Sequence, residues 1–297
     1  MITPESDLQV ASQTDLAALS RRGRWLIMKT VANSKAGHIG GPLSAMDLWI
    51  ALFFRVLHIR PEQPDWPDRD RFILSKGHAA VGLYVAMALR GYFPVEELAT
   101  FDKANSRLQG HPDMLKLPGL EASTGSLGQG LSVGLGIALG ARMRQKAFTT
   151  WVMLGDGELQ EGVVWESVQI AARYKLGNLV AIVDWNGLQQ YGWPNFGEAS
   201  PRSTRRDPWH GTHPGRAFEA FGWKMREVDG HDFDDIIAAC EAARNDAVGE
   251  QPTVIVARTI KGKGISFTEG NHDWHSKSAT AQELAQARRE LQIGDDE

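Results

Sequence analysis

A chain of 297 residues with 32 Lys and Arg against 36 Asp and Glu carries a formal charge of −4 at neutral pH. The length allows a large core of one or two domains, and the mild acidity without a basic run excludes nucleic acid as the main partner. No apolar run reaches the ~18 residues of a membrane span, the opening MITPESDLQ lacks a basic n-region and an apolar core, and the single cysteine, Cys240, excludes an internal disulfide. The expectation is a soluble, cytoplasmic protein in a reducing compartment, with no membrane partner.

The first third reads as helical. Apolar Leu16, Leu19, Ile27 and Val31 recur at helix spacing within Thr14–Val31. Ser44 followed by Asp47 predicts a capping box in front of Leu48–Leu57. Ala79–Leu89 predicts a helix stopped at Gly91. These segments make a helical N-terminal region over residues 14–100. Farther on, Gly125-Ser126-Leu127-Gly128-Gln129-Gly130 opens a helical run to Met143.

From Thr149 the pattern changes. Short β-rich runs at Thr149–Leu154, Leu179–Val183, Lys224–Val228 and Thr253–Ile260 alternate with helical segments at Gln160–Lys175, Ala217–Phe221 and Asp232–Asn245. That alternation predicts an α/β fold, a parallel β-sheet flanked by helices. One domain over 1–297 is the simplest division, with a C-terminal extension over 276–297 that is helical at Thr280–Leu291. No repeat with a period of 20–50 residues and no low-complexity tract interrupts it. The stretch Gly187–Gly215, rich in Gly, Pro, Trp and Arg, is too long for a plain connection and reads as functional or disordered. Cys240 falls on the apolar stripe of its helix and reads as a packing residue.

Parallel sheets bind ligands outside the carboxyl ends of their strands. Thr149–Leu154 runs into Gly155-Asp156-Gly157, and Leu179–Val183 runs into Asp184-Trp185-Asn186, with one crossover helix between. Neighbouring strands lie about 5 Å apart, so Asp156 and Asn186 can share one cation. A carboxylate and an amide are a weak cage alone, but Mg²⁺ is commonly held by one or two such side chains together with phosphate oxygens and water. Gly155 and Gly157 would let a diphosphate approach the backbone. The competing reading of Gly-Asp-Gly is an ordinary turn, and for the second glycine-rich element it is close helix–sheet packing.

His38, His78, His111 and His275 all stand in Gly- or turn-rich surroundings, outside any helical apolar stripe. None has zinc-motif spacing, and each alone reads most simply as a solvated or structural residue. Their shared setting suits polar groups lining a cleft for a hydroxylated or phosphorylated substrate. His58, His210, His213, His231 and His272 are assigned structural roles.

Taken together, KAGHIGGPLS, DRFILSKGHA, QGHPD, STGSLGQGLS, GDGELQEGVVWES, LVAIVDWN and DGHDF, in this order, resemble the thiamine-diphosphate-binding N-terminal half of transketolase, from Ala17 to His275. The resemblance implies the thiamine-diphosphate-binding PP-type module. Ordinary transketolases carry this module, a pyrimidine-binding module and a C-terminal domain on a chain about twice as long, so the expectation is the N-terminal subunit of a split transketolase. Its partner would be a C-terminal transketolase subunit with the pyrimidine-binding module, in an α2β2 heterotetramer.

Residue by residue, the resemblance implies that Asp156, Asn186 and the backbone carbonyl of Leu188 hold Mg²⁺, or Ca²⁺ or Mn²⁺ in its place. Thiamine diphosphate would be contacted by His78, Gly125, Ser126, Leu127 and His275. Gly155, Asp156, Gly157, Glu158 and Asn186 would complete those contacts. His38, His111 and His275 would bind the sugar, and the four histidines with Glu161 would be catalytic. Glu161 and Glu166 match acidic positions near the family's subunit interface. Two departures stand out: Ser126 where the family often has Pro, and Ser276 where Gly commonly follows the last histidine, which leaves His272 as the alternative to His275.

The cofactor would act as electron sink while a two-carbon ketol unit passes from a ketose phosphate or related anionic sugar to an aldose, with proton transfers suited to histidine. Without the pyrimidine-binding module the chain is expected to be inactive alone. The alternatives are a module of a 1-deoxyxylulose-5-phosphate synthase or of a 2-oxo-acid dehydrogenase, and a non-catalytic regulatory subunit. KAGH with QGHPD favours ketol transfer. Arg202, Arg205 and Arg206 would either select an anionic substrate tail or form a solvated loop.

Overall fold

The computed structural model describes residues 15–190, 213–247 and 249–294. His210, Arg202, Arg205, Arg206 and most of the Gly187–Gly215 stretch lie outside them.

The N-terminal helical region begins with α1 (Leu16–Ser34), capped by Asp15, whose carboxylate accepts from Ala18 N at 2.9 Å. It continues through α2 (Gly40–Ser44) and α3 (Met46–Ala51), which runs on into one π-helical turn at Leu52–Val56. The capping box expected at Ser44 and Asp47 does not form. Ser44 sits inside α2 and donates to Gly41 O at 2.9 Å and Asp184 Oδ2 at 2.5 Å. Asp47 is buried and taken by Arg24 Nη2 at 2.6 Å and His231 Nδ1 at 2.7 Å. Tertiary partners displace the local cap here. Strand β1 (Arg71–Leu74), which the sequence patterning does not reveal, follows, and then α4 (Ala80–Arg90), stopped as expected at Gly91 with φ 99°.

The rest alternates. After α5 (Gln129–Met143) come β2 (Thr150–Gly155), α6 (Gly162–Arg173), β3 (Leu179–Trp185) and α7 (Pro214–Ala220). Then follow β4 (Lys224–Asp229), α8 (Phe233–Asp246), β5 (Thr253–Arg258) and α9 (Ala281–Glu290). Asp232 caps α8, and Thr280 with Glu283 forms a full capping box on α9.

All five strands are parallel, in the order β1-β2-β3-β5-β4. Side chains alternate across the pleat. Trp151, Met153, Val180, Ile182 and Ile255 join one core with α1, α4 and α8. Val152, Leu154, Ala181, Val183 and Val254 join a second core with α5, α6 and Phe218 of α7. Helices therefore cover both faces, as the α/β reading requires. Cys240 is a buried member of the first core. Among the described residues no helix is long and apolar enough to cross a membrane.

Helix α5 departs from the rule of one apolar stripe. Its buried side is made of Gly130, Leu131, Gly134, Ala138 and Ala141, yet Val133 is 39% and Met143 79% exposed. A Cβ at Gly136 or Gly140 would meet nothing within 4 Å. Beside it, Ile170 of α6 and the following Tyr174 are also exposed.

Candidate cofactor and substrate site

Because β1, β2, β3 and β5 are parallel neighbours, the segments leaving their carboxyl ends meet at one edge of the sheet. β1 delivers Lys76 and His78, β2 delivers Gly155–Glu158, β3 delivers Asp184, Asn186 and Leu188, and β5 delivers Thr259 and Lys261. All of these except Asp184 and Thr259 border a cleft of about 400 Å³, which His38, Gly125, Leu127, Glu161 and His275 also line.

Close backbone approach shapes its floor. A Cβ at Gly77 would fall 2.7 Å from both Gly125 N and Thr124 C, so only glycine lets these loops touch. Gly125 itself has φ 151°, and a Cβ there would press on the His111 ring at 3.1 Å. Gly125 and Leu127 line the cleft, whereas Ser126 between them is exposed and does not. Glu158, an expected cofactor contact, lines the cleft with its carboxylate engaged by the protein. It is 3% exposed, and its oxygens accept from Ser75 Oγ at 2.5 Å, Gly128 N at 2.7 Å and Gly155 N at 3.1 Å. Its carboxylate ties two loops together from behind.

The histidines converge. The rings of His38 and His78 lie 5.1 Å apart, those of His38 and His275 5.1 Å, and those of His78 and His275 5.2 Å. His111 stands at the rim, exposed, with its ring 6.3 Å from His38. His275, rather than His272, enters the cluster; His272 faces Asp273 at 3.3 Å instead. The remaining structural assignments among described histidines fit: His231 bridges Asp47 and Ile260 N, and His213 caps α7.

The cluster is kept neutral. Burial, then the charges of Lys76 and the neighbouring rings, pushes His78 down to about 2. Burial and Lys261 push His275 down to about 3, and burial with His111 and Lys261 lowers His38. Each ring thus offers one acceptor nitrogen at neutral pH. His38 Nδ1 is buried with no partner among the described residues.

Below the histidines lies a set of hard oxygen donors. Asp156, 2% exposed, accepts from Gly157 N at 2.8 Å and Gly187 N at 2.7 Å. Burial and the neighbouring Asp184 raise its pKa. Asn186 Oδ1 accepts from Leu188 N at 3.1 Å, while its Nδ2 donates to Asp184 Oδ2 at 3.3 Å. The Leu188 carbonyl faces the same space, where the Lys261 ammonium donates to it at 3.2 Å, to Gln189 O at 3.0 Å, and stands 3.0 Å from His275 Nδ1. Burial lowers the Lys261 pKa, with Asp156 and Asp184 opposing. A carboxylate, an amide and a backbone carbonyl form the oxygen set Mg²⁺ takes from protein when phosphate oxygens supply the rest, and a cationic group already seats on that carbonyl. The donor set fits a divalent cation.

Three charged residues in and behind this site escape sequence reading: Lys76, Asp184 and Lys261. Each is a lone charge in a pattern that local spacing does not explain. The adjacency of Lys76 to His78, and the placement of Asp184 two residues before Asn186 at a strand end, are the signals that could have found the first two.

A fold of this kind, with an acid and an amide at adjoining strand ends beneath a histidine cluster, is that of a thiamine-diphosphate-dependent enzyme module. Residues 16–297 match the family "Transketolase, thiamine diphosphate binding domain", and the chain belongs to it.

It is 39% identical over 280 residues to the 6-deoxy-6-sulfo-D-fructose transketolase subunit of Clostridium sp. strain MSTE9, covering 94% of this chain and 97% of that protein. It is 38% identical over 272 residues to an apulose-4-phosphate transketolase subunit of Phocaeicola vulgatus, covering 92% of each. Among solved structures, the Pichia stipitis transketolase complex with sedoheptulose 7-phosphate superposes with a TM-score of 0.84 at 31% identity, covering 95% of this chain and 41% of that one. The Leishmania mexicana transketolase superposes with the same TM-score, 0.84, at 27% identity, covering 95% and 43%. The chain therefore spans about two fifths of the solved transketolases but nearly all of the relatives named as subunits. It corresponds to the N-terminal, thiamine-diphosphate-binding part of a transketolase, as the motifs imply, and these relatives favour that reading over the synthase, dehydrogenase and non-catalytic alternatives.

Proposed function

We propose that this chain is the cofactor-anchoring subunit of a two-subunit transketolase that moves a two-carbon ketol unit from a sugar ending in an anion to an aldose acceptor. The observation that carries this reading is the convergence of His38, His78, His111 and His275 above Asp156, Asn186 and the Leu188 carbonyl. The Clostridium and Phocaeicola relatives act, by their names, on a sulfonated and a phosphorylated sugar, which supports an anionic sugar as substrate class.

When bound, thiamine diphosphate supplies the electron sink that makes carbon–carbon cleavage next to a carbonyl accessible. Asp156, Asn186 and Leu188 O would hold Mg²⁺, or Mn²⁺ or Ca²⁺, against the diphosphate. Lys76 and Lys261, which line the cleft, would offset phosphate charge. Gly125, Leu127 and Gly157 let the ligand lie against backbone. His78 and His275 would contact the cofactor, and His38, His111 and His275 would contact the sugar hydroxyls and accept or return protons there. His38 Nδ1, buried and unpartnered among the described residues, is an acceptor or donor ready for a hydroxyl.

The complementary polypeptide would carry the pyrimidine-binding module and close the cleft beside the exposed Glu161 and Glu166, in an α2β2 heterotetramer in the cytoplasm. The test is an assay of the full chain alone and co-purified with its companion, with thiamine diphosphate, Mg²⁺ and a panel of ketose phosphates and sulfonated ketoses. Two-carbon transfer by the pair and none by the chain alone is expected. Transfer by the solitary chain, or rapid CO₂ release from pyruvate by the pair, would refute the reading.

A further inference from the structure

Asp184 is 0% exposed, sits at the end of β3, and has no part in the chemistry just described. Four side-chain donors from four separate segments meet on it. Ser44 of α2 and Lys76 beyond β1 donate to Oδ2, Thr259 beyond β5 donates to Oδ1, and Asn186 Nδ2 donates to Oδ2 at 3.3 Å. A carboxylate paired with a buried lysine can only accept. A primary amide has two unlike ends, and its hydrogen-bond partners decide which end faces a ligand.

We propose that Asp184 is a positioning residue for the cation site: by taking the Nδ2 end of Asn186 it directs the amide oxygen, beside the Leu188 N–H, toward the cation. This rests on the reading of Asn186 as a ligand. Lys76 in turn holds the carboxylate ionised and in place, so the second layer of the site is an ion pair buried under the sheet edge. Partners of this outer kind orient metal ligands, and losing them typically costs ~10–100-fold in metal affinity.

The test uses the full chain together with its companion and follows Mn²⁺ binding in the presence of thiamine diphosphate by electron paramagnetic resonance, which needs no turnover. Asp184→Asn is expected to weaken Mn²⁺ binding at least ~10-fold, because an amide at 184 can donate to Asn186 Oδ1 and turn its nitrogen outward. The swap Asp184→Asn with Asn186→Asp should recover most of that loss, since a carboxylate at 186 presents an oxygen whichever way it turns. Thr259→Val, which removes a donor from Oδ1 and leaves Asn186 alone, should lower Tm while Mn²⁺ affinity stays at the wild-type level.

Wild-type affinity in Asp184→Asn, or a swap as weak as the single variant, would overturn the assignment and leave Asp184 a packing element. If Asp184→Asn does not fold, the swap decides alone: near wild-type affinity supports the assignment and a tenfold loss overturns it. A wild-type protein that takes no Mn²⁺ with thiamine diphosphate would instead overturn the cation site itself, and the inference with it.

Discussion

Acidification from pH 7 to pH 5 tests whether the histidine cluster is held neutral by burial. His78 is lowered from 6.5 to about 2, chiefly by burial and then by Lys76. The unfolded chain takes up a proton on this ring near its ordinary value, and the folded chain does not, so its contribution to stability is complete above pH 6.5 and declines as the pH falls. A pH of 5 lies about 1.5 units below the ordinary pKa of the unfolded ring, and at about 1.4 kcal/mol per unit the loss is about 2 kcal/mol. For a chain of 297 residues that corresponds to roughly 3 °C in Tm. Thermal unfolding of the wild type and of His78→Gln at pH 7, 6 and 5 isolates the effect from every other titrating group. The variant should lose less Tm between pH 7 and pH 5 by that amount. An identical fall in both proteins would refute the burial argument.

Other outcomes follow from the same geometry. Asp156→Ala should abolish cation-dependent binding of thiamine diphosphate in calorimetry while far-UV circular dichroism is retained. Lys76→Met strands Asp184, 0% exposed, without its cation, and should destabilise the fold by about 3–5 kcal/mol in urea titration. Gly77→Ala drives a methyl into the Thr124–Gly125 backbone at 2.7 Å, costing about 1–3 kcal/mol and weakening cofactor binding measured by the same calorimetry. His111→Ala, at the rim, should leave the cofactor bound and reduce turnover in the ketose panel.

The reach of the sequence varies with the physics of each feature. Strands β2, β3 and β5 are legible because buried parallel strands read as unbroken apolar runs, and Gly91 marks its helix end because it takes a left-handed backbone. β1 escapes: Arg71–Leu74 is four residues long and follows a charged stretch, so period and length give no signal. Ser44 and Asp47 match a local cap, but Asp184, 140 residues away from Ser44, competes for the hydroxyl. The glycine-flanked histidines stand out because loops that need glycine also bring backbone close to ligands. Glu158 lines the cleft as expected, but its carboxylate is taken by Ser75, Gly128 and Gly155, and spacing says nothing about which partners a carboxylate finds. Lys76, Asp184 and Lys261 are silent because long-range charge pairing leaves no periodic trace.

The two-sided apolar character of α5 has a practical consequence. With Val133 and Met143 uncovered and the neighbouring Ile170 and Tyr174 beside them, the chain produced in bacteria without a companion presents an oily strip to other copies of itself. Patches of this kind drive concentration-dependent clumping. Yield and monodispersity should therefore improve on co-expression with the proposed companion.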